Sequence, residues 1–221
     1  MEVIRAVNLS KIYKTGSIEV KAVNNINLSV NKGEFVAVTG RSGSGKSTLL
    51  HMLGGVDKPS SGKVFIDGID IHALSDNDLS IFRRRRIGFI FQFFNLVPVL
   101  TAEENIMLPV LLDGRKVDQV YTQSLFSALD LNDKLGFLPS RLSGGEQQRV
   151  AIGRALITKP SIILSDEPTG NLDTVTSKEI VDLLKISARK FNQTTIMITH
   201  DPNIAAQADR IIVIEDGRII R

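Results

Sequence analysis

Apolar residues along the chain fall into two rhythms. Short, nearly unbroken runs read as strands: Val3–Val7, Ile26–Val30, Glu34–Thr39, Ile87–Phe91, Ile162–Leu164 and Thr195–Thr199. Longer mixed stretches read as helices: Lys46–Leu53, a long helical region from Thr101 to Leu129, one from Ser143 to about Thr158, and an amphipathic one from about Thr174 to Lys190. Asp67-Gly68 marks a hairpin joining Val64–Ile66 to Ile69–Ile71, and Asp216-Gly217 marks a final one. Strands alternating with helices predict an α/β fold, with a largely parallel sheet and helices on its faces. The helix-rich stretch 93–158 reads as a lobe inserted into a core made of 1–92 and 159–221, together a single domain.

Composition narrows the class. The 221 residues are 43% hydrophobic and 23% charged, which excludes a disordered or fibrous chain. The longest apolar stretches, Ile106–Leu112 and Ile211–Ile214, fall far short of the roughly 20 residues a membrane span requires. The opening Met-Glu-Val-Ile-Arg has no apolar signal core. There is no cysteine, so disulfides, thiolate nucleophiles and cysteine-based zinc sites are excluded. A net charge of +3 is too small to name nucleic acid or a membrane as partner.

Three segments carry chemistry. Gly40, Arg41, Ser42, Gly43, Ser44, Gly45, Lys46, Ser47 and Thr48 fit the phosphate-loop pattern G-x-x-x-x-G-K-S/T, between a strand and a helix. Its glycines let backbone N–H groups turn inward around phosphate oxygens, and the helix N-terminus adds partial positive charge. Lys46 then reaches the β- and γ-phosphates, and the Ser47 hydroxyl is a hard ligand for Mg²⁺. Asp166 and Glu167 follow an apolar strand, where ligand sites of open α/β sheets lie. Asp166 suits Mg²⁺ through its water shell, and Glu167 suits orienting or deprotonating an attacking water. An isolated Asp-Glu would be a solvated turn; after a complete phosphate loop it reads as catalytic. In Leu142-Ser143-Gly144-Gly145-Glu146, Ser143 and Glu146 form a capping box. A cap needs no paired glycines, however, and these bare the backbone amides to an anion.

In this order the motifs resemble the nucleotide-binding subunit of ATP-binding-cassette transporters, over essentially the whole chain. The resemblance matches the phosphate loop at Gly40–Thr48, a Q-loop at Gln92, the signature LSGGE at 142–146 and a Walker B segment at 162–167. It also matches a D-loop at Asn171-Leu172-Asp173, a switch histidine at His200 and an A-loop aromatic at Tyr13. It departs at Ser165, where many relatives carry alanine, and at Glu146, where many carry glutamine. The implied fold is a P-loop NTPase (RecA-like) core with a mainly parallel sheet, an N-terminal antiparallel β subdomain and an inserted helical signature subdomain. The implied activity is Mg²⁺-dependent ATP hydrolysis by a head-to-tail homodimer. Each ATP would sit on one chain's phosphate loop, covered by the other chain's Ser143, Gly144 and Gly145, with Asp173 among the nucleotide contacts. His200 would hydrogen-bond the γ-phosphate, Tyr13 would stack on adenine, and Gln92 would touch Mg²⁺ or water and report to the helical lobe. The transport pathway would lie on a separate transmembrane permease, with this chain peripheral on the cytoplasmic face of the cell membrane. Phe93–Leu112, Pro139-Ser140 and Asp166–Asp173 look most like the macrolide-exporter, lipoprotein-release and antimicrobial-peptide-resistance group.

Several residues read blandly by themselves. A lone His200 is more often structural, Tyr13 is as readily a core aromatic, and Gln92 is a surface amide. Arg83–Arg86 invites nucleic acid, yet the run is short, has Asp76 and Asp78 nearby, and lacks an aromatic platform. A basic surface near anionic lipid headgroups or a permease loop is the alternative. Phe93–Leu100 reads as core in part and, where exposed, as a groove for a partner helix. A cytosolic cassette ATPase acting on ribosomes or nucleic acid would carry two cassettes or long coiled coils. A kinase would leave LSGGE and His200 unexplained.

Overall fold

The strands sort into two sheets by direction. In a computed structural model that describes residues 1–16, 18–191 and 193–220, the elements begin with β1 (Glu2–Thr15), β2 (Ile18–Asn31), β3 (Phe35–Thr39), α1 (Lys46–Leu53), β4 (Ser61–Ile66), β5 (Ile69–Asp70), α2 (Asp76–Arg86) and β6 (Ile87–Ile90). They continue with α3 (Ala102–Leu112), α4 (Gln119–Ala128), α5 (Gly144–Leu156), β7 (Ile162–Asp166), α6 (Thr174–Phe191), β8 (Thr194–Ile198), α7 (Pro202–Ala205), β9 (Arg210–Glu215) and β10 (Arg218–Ile219). One sheet has the order β2-β1-β4-β5 and is antiparallel. The other runs β10-β9-β3-β8-β7-β6, parallel throughout except for β10.

The parallel strands β3, β7 and β8 read FVAVT, IILSD and TTIMI, nearly continuous burial that a sheet covered on both faces demands. Alternate side chains serve different cores. Val36, Val38, Leu164, Ile196 and Ile198 pack with Leu49, Leu50 and Leu53 of α1 and with Ile4, Leu9 and Val30 of the antiparallel sheet. Ile163 packs on the other side with α3, α4, α5 and α6, and Phe35 and Met197 meet Val181 and Ile204 there. Thus α1 lies between the two sheets, and the helices of 102–156 sit beyond β6 and β7.

Local chemistry accounts for the differences from the sequence pattern. The helical region expected from Thr101 to Leu129 is two helices. α3 starts on a Thr101–Glu104 capping box and ends at Asp113; Gly114 takes φ +64°, and α4 restarts on Asp118, whose carboxylate accepts from Tyr121 N–H. The pattern gave no sign of α2, because none of its residues is fully buried; Leu79 and Phe82 reach the core only in part. β1 and β2 form a far longer ribbon than the two short runs suggested, and β5 stops at Asp70, where Ile71–Ala73 turns as a 3₁₀ helix. β6 ends at Ile90, short of Phe91. The acids beside Arg83–Arg86 are also corrected. Asp76 and Asp78 lie in the first turn of α2, whereas Arg84 and Arg85, with Arg115, converge on Asp113, and Arg86 pairs with Asp67.

Candidate functional site

Strand order assembles the site. β3, β8 and β7 are parallel neighbours, so their C-terminal ends share one edge of the sheet. β3 leads into the phosphate loop, β7 into Asp166-Glu167, and β8 into Thr199-His200. Gly40, Ser42, Gly43, Gly45, Lys46, Ser47, Thr48, Glu167 and His200, with Ala22, line one cleft of about 450 Å³. Residues far apart in sequence therefore meet because three strands stop together.

The loop accepts glycine alone at two points. Gly40 and Gly45 hold φ of +145° and +102°, and a Cβ there would lie 2.1 Å from the Ile214 carbonyl oxygen and 2.0 Å from that of Ala22. Lys46 is buried, and its Nζ donates to the carbonyls of Gly40 (2.9 Å) and Arg41 (2.8 Å). Ser44 is buried with no hydrogen bond to its hydroxyl. Bare amides around an ammonium at a helix start suit a polyphosphate.

Ser47 Oγ donates to Asp166 Oδ1 at 3.2 Å. Burial pushes the Asp166 carboxyl above its ordinary value, against the Ser47 hydrogen bond. A hydroxyl and one desolvated carboxylate are hard oxygen donors that fit Mg²⁺, which usually takes one or two carboxylates together with phosphates and waters. Among the described residues no cluster of three or more His, Cys, Asp or Glu could cage a metal alone. Glu167 has φ +45°, a left-handed backbone sparsely used by non-glycine residues, and its N–H donates to the Ile198 carbonyl. Its Oε2 lies 3.4 Å from His200 Nδ1, and the His200 side chain is 71% exposed at the cleft.

The remaining candidates lie elsewhere. Ser143, Gly144, Gly145 and Asp173 line a second cleft, of about 610 Å³, that shares no lining residue with the first. The capping box there is formed: Ser143 N–H donates to Glu146 Oε2 (2.7 Å) and Glu146 N–H to Ser143 Oγ (3.3 Å). Asp173 caps α6, accepting from the N–H groups of Val175 and Thr176 and from the Thr176 hydroxyl. Gln92 is paired with Asn171, whose Nδ2 donates to the Gln92 carbonyl at 2.9 Å. Tyr13 stands on β1, 42% exposed, with its hydroxyl on Asp57 Oδ2 at 2.6 Å. Motif reading missed Ala22, which walls the loop, and Arg154, which donates to the carbonyls of Phe94 and Asn95. Nothing in local sequence marks either one.

Comparison with known proteins agrees with this geometry. The ABC transporter family model matches residues 23–170. The lipoprotein-releasing system ATP-binding protein LolD of Colwellia psychrerythraea is 46% identical over 99% of this chain and 85% of its own length. An uncharacterized ABC transporter ATP-binding protein of Methanocaldococcus jannaschii is 44% identical over 99% of this chain and 95% of its own. A dimeric post-hydrolysis structure of an ATP-binding cassette bound to ADP and phosphate superposes with a TM-score of 0.89, at 42% identity, covering 99% of this chain and 97% of that one. A phosphate loop, a strand-end glutamate and a histidine in one cleft, in a chain so matched, leave one assignment: the chain belongs to the ABC transporter family, as an ATP-binding cassette.

Proposed function

We propose that this cassette hydrolyses ATP as a head-to-tail dimer and so drives a separate membrane permease in work of the lipoprotein-release type. The convergence of Lys46, Glu167 and His200 in one cleft supports this most directly. Lys46, anchored on two loop carbonyls, reaches the β- and γ-phosphate oxygens. Ser47 and Asp166, with Gln92, would hold Mg²⁺, which would offset phosphate charge. Glu167 orients the attacking water and takes its proton, and His200 hydrogen-bonds the γ-phosphate. The second cleft, with Ser143, Gly144, Gly145 and Asp173, covers the nucleotide of the partner copy, and the Tyr13 ring stacks on adenine. The helices of 93–158 form the lobe that carries this cover.

The permease docks in a groove of about 470 Å³ whose lining includes Phe89, Phe91, Leu108, Pro109 and Leu112 together with Arg83, Arg84 and Arg154; of the segment 93–100 only Asn95 reaches it. Among the described residues no helix is long and apolar enough to cross a membrane. Docking on the permease places the cassette at the cytoplasmic face. Relatives named for lipoprotein release support the type of work. Glu167→Gln is the test: ATP binding persists, turnover falls by about a hundredfold or more, and a nucleotide-bound dimer accumulates by light scattering. Unchanged turnover would overturn the role given to Glu167.

A further inference from the structure

We propose that Asp57, held by Lys11, is a positioning residue that fixes the Tyr13 ring relative to the phosphate-loop helix. The proposal rests on reading Tyr13 as the adenine platform. Tyr13 belongs to the antiparallel sheet and the phosphate loop to the parallel one. A base platform serves only at a set distance from the phosphate cradle, and nothing in the covalent chain sets it. Core packing joins the antiparallel sheet to α1 but does not hold the Tyr13 side chain, which is 42% exposed.

Polar contacts supply the link. The Tyr13 hydroxyl donates to Asp57 Oδ2 at 2.6 Å. The other oxygen, Oδ1, accepts from Lys11 Nζ at 2.5 Å, and Lys11 also donates to the Lys58 carbonyl at 2.7 Å. Lys11 Nζ lies 5.0 Å from the centre of the Tyr13 ring. Asp57 is fastened to α1 itself, because its N–H donates to the His51 carbonyl at 3.2 Å. Between the two clamps, Ile12 N–H donates to Ser60 Oγ at 3.0 Å. Residues 11, 12 and 13 of β1 are thus tied one by one to the turn that follows the phosphate-loop helix. Burial would raise the Asp57 carboxyl, but the hydrogen bonds from Lys11 and Tyr13 outweigh it and leave it below its ordinary value. Asp57 therefore acts as a full carboxylate at neutral pH, which makes the Tyr13 bond charge-assisted.

The experiment measures kcat and KM for ATP in the whole cassette. Tyr13→Phe and Asp57→Ala each raise KM about three- to tenfold, with kcat moved less than about twofold. The double variant loses less than the sum of the two single losses, because both remove the same Tyr13–Asp57 contact. Asp57→Asn, which still accepts from the Tyr13 hydroxyl, recovers part of the loss. If Tyr13→Ala raises KM while Tyr13→Phe and Asp57→Ala do not, the clamp is overturned and the platform stands. If Tyr13→Ala leaves KM unchanged, the platform reading fails and the clamp with it. Tyr13→Phe removes only a partly exposed hydroxyl, so it reports on the clamp even if Asp57→Ala fails to fold.

Discussion

Lys46 Nζ donates to the carbonyls of Gly40 and Arg41, which anchors the ammonium in the loop and leaves a third N–H for a phosphate oxygen. Lys46→Ala removes that charge and its donors; ATP affinity by calorimetry should fall at least about tenfold. The loop was legible in sequence because its residues are covalent neighbours with a fixed glycine pattern. The pairing of Glu167 with His200 was legible only through the order of the motifs. Tyr13 on Asp57, 44 residues away, was not legible, since neither residue has a local partner that betrays the contact. The left-handed backbone of Glu167 was equally hidden, because nothing in Ser-Asp-Glu-Pro demands it.

At the scale of elements, one buried side chain organises the loop after Gln92. Asn105 is fully buried on α3; its Nδ2 donates to the carbonyls of Val97, Leu100 and Thr101, and its Oδ1 accepts from Val97 N–H. With Arg154 on Phe94 and Asn95, it gives shape to a segment that the pattern described only as apolar. That segment divides as the two readings allowed: Leu96 packs on the helical core, while Phe93 and Val99 are exposed. Asn105→Ala should lower unfolding free energy in urea by about 2–3 kcal/mol, because buried carbonyls lose their donor. Helix starts at Ser143 and Thr174 were readable from caps and periodicity. The separation of α3 from α4 was not, since the apolar pattern resumes at Val117 and Val120 after only a short polar turn; Gly114 in a left-handed φ and the Asp118 cap make the break.

Across the whole molecule, charge holds α2 to the end of α3. Asp113 gathers Arg84, Arg85 and Arg115, and although burial would raise its carboxyl, hydrogen bonds from Arg85 and Arg84 keep it below its ordinary value. A depressed folded-state value means stability that is complete above the unfolded carboxylate range and is lost as pH falls through the folded value. Asp113→Asn should therefore lower Tm at pH 7, and its gap from the unmodified protein should narrow below about pH 4. An unchanged gap at acid pH would exclude this ion cluster as its cause. The same arginines explain why Arg83–Arg86 is a poor nucleic-acid surface: two of the four are occupied by one acid of the chain itself. The order of the parallel sheet has a further consequence, for the timing of folding. β3, which carries the phosphate loop, pairs with β8 and β9, at residues 194–198 and 210–215, whereas the β1–β2 ribbon closes within the first 31 residues. During synthesis the ribbon can form early, but the strand beneath the phosphate loop has no sheet partner until residues 194–215 have been made. Until β8 and β9 arrive, both edges of β3 are open, and an open apolar strand edge is a template for aggregation.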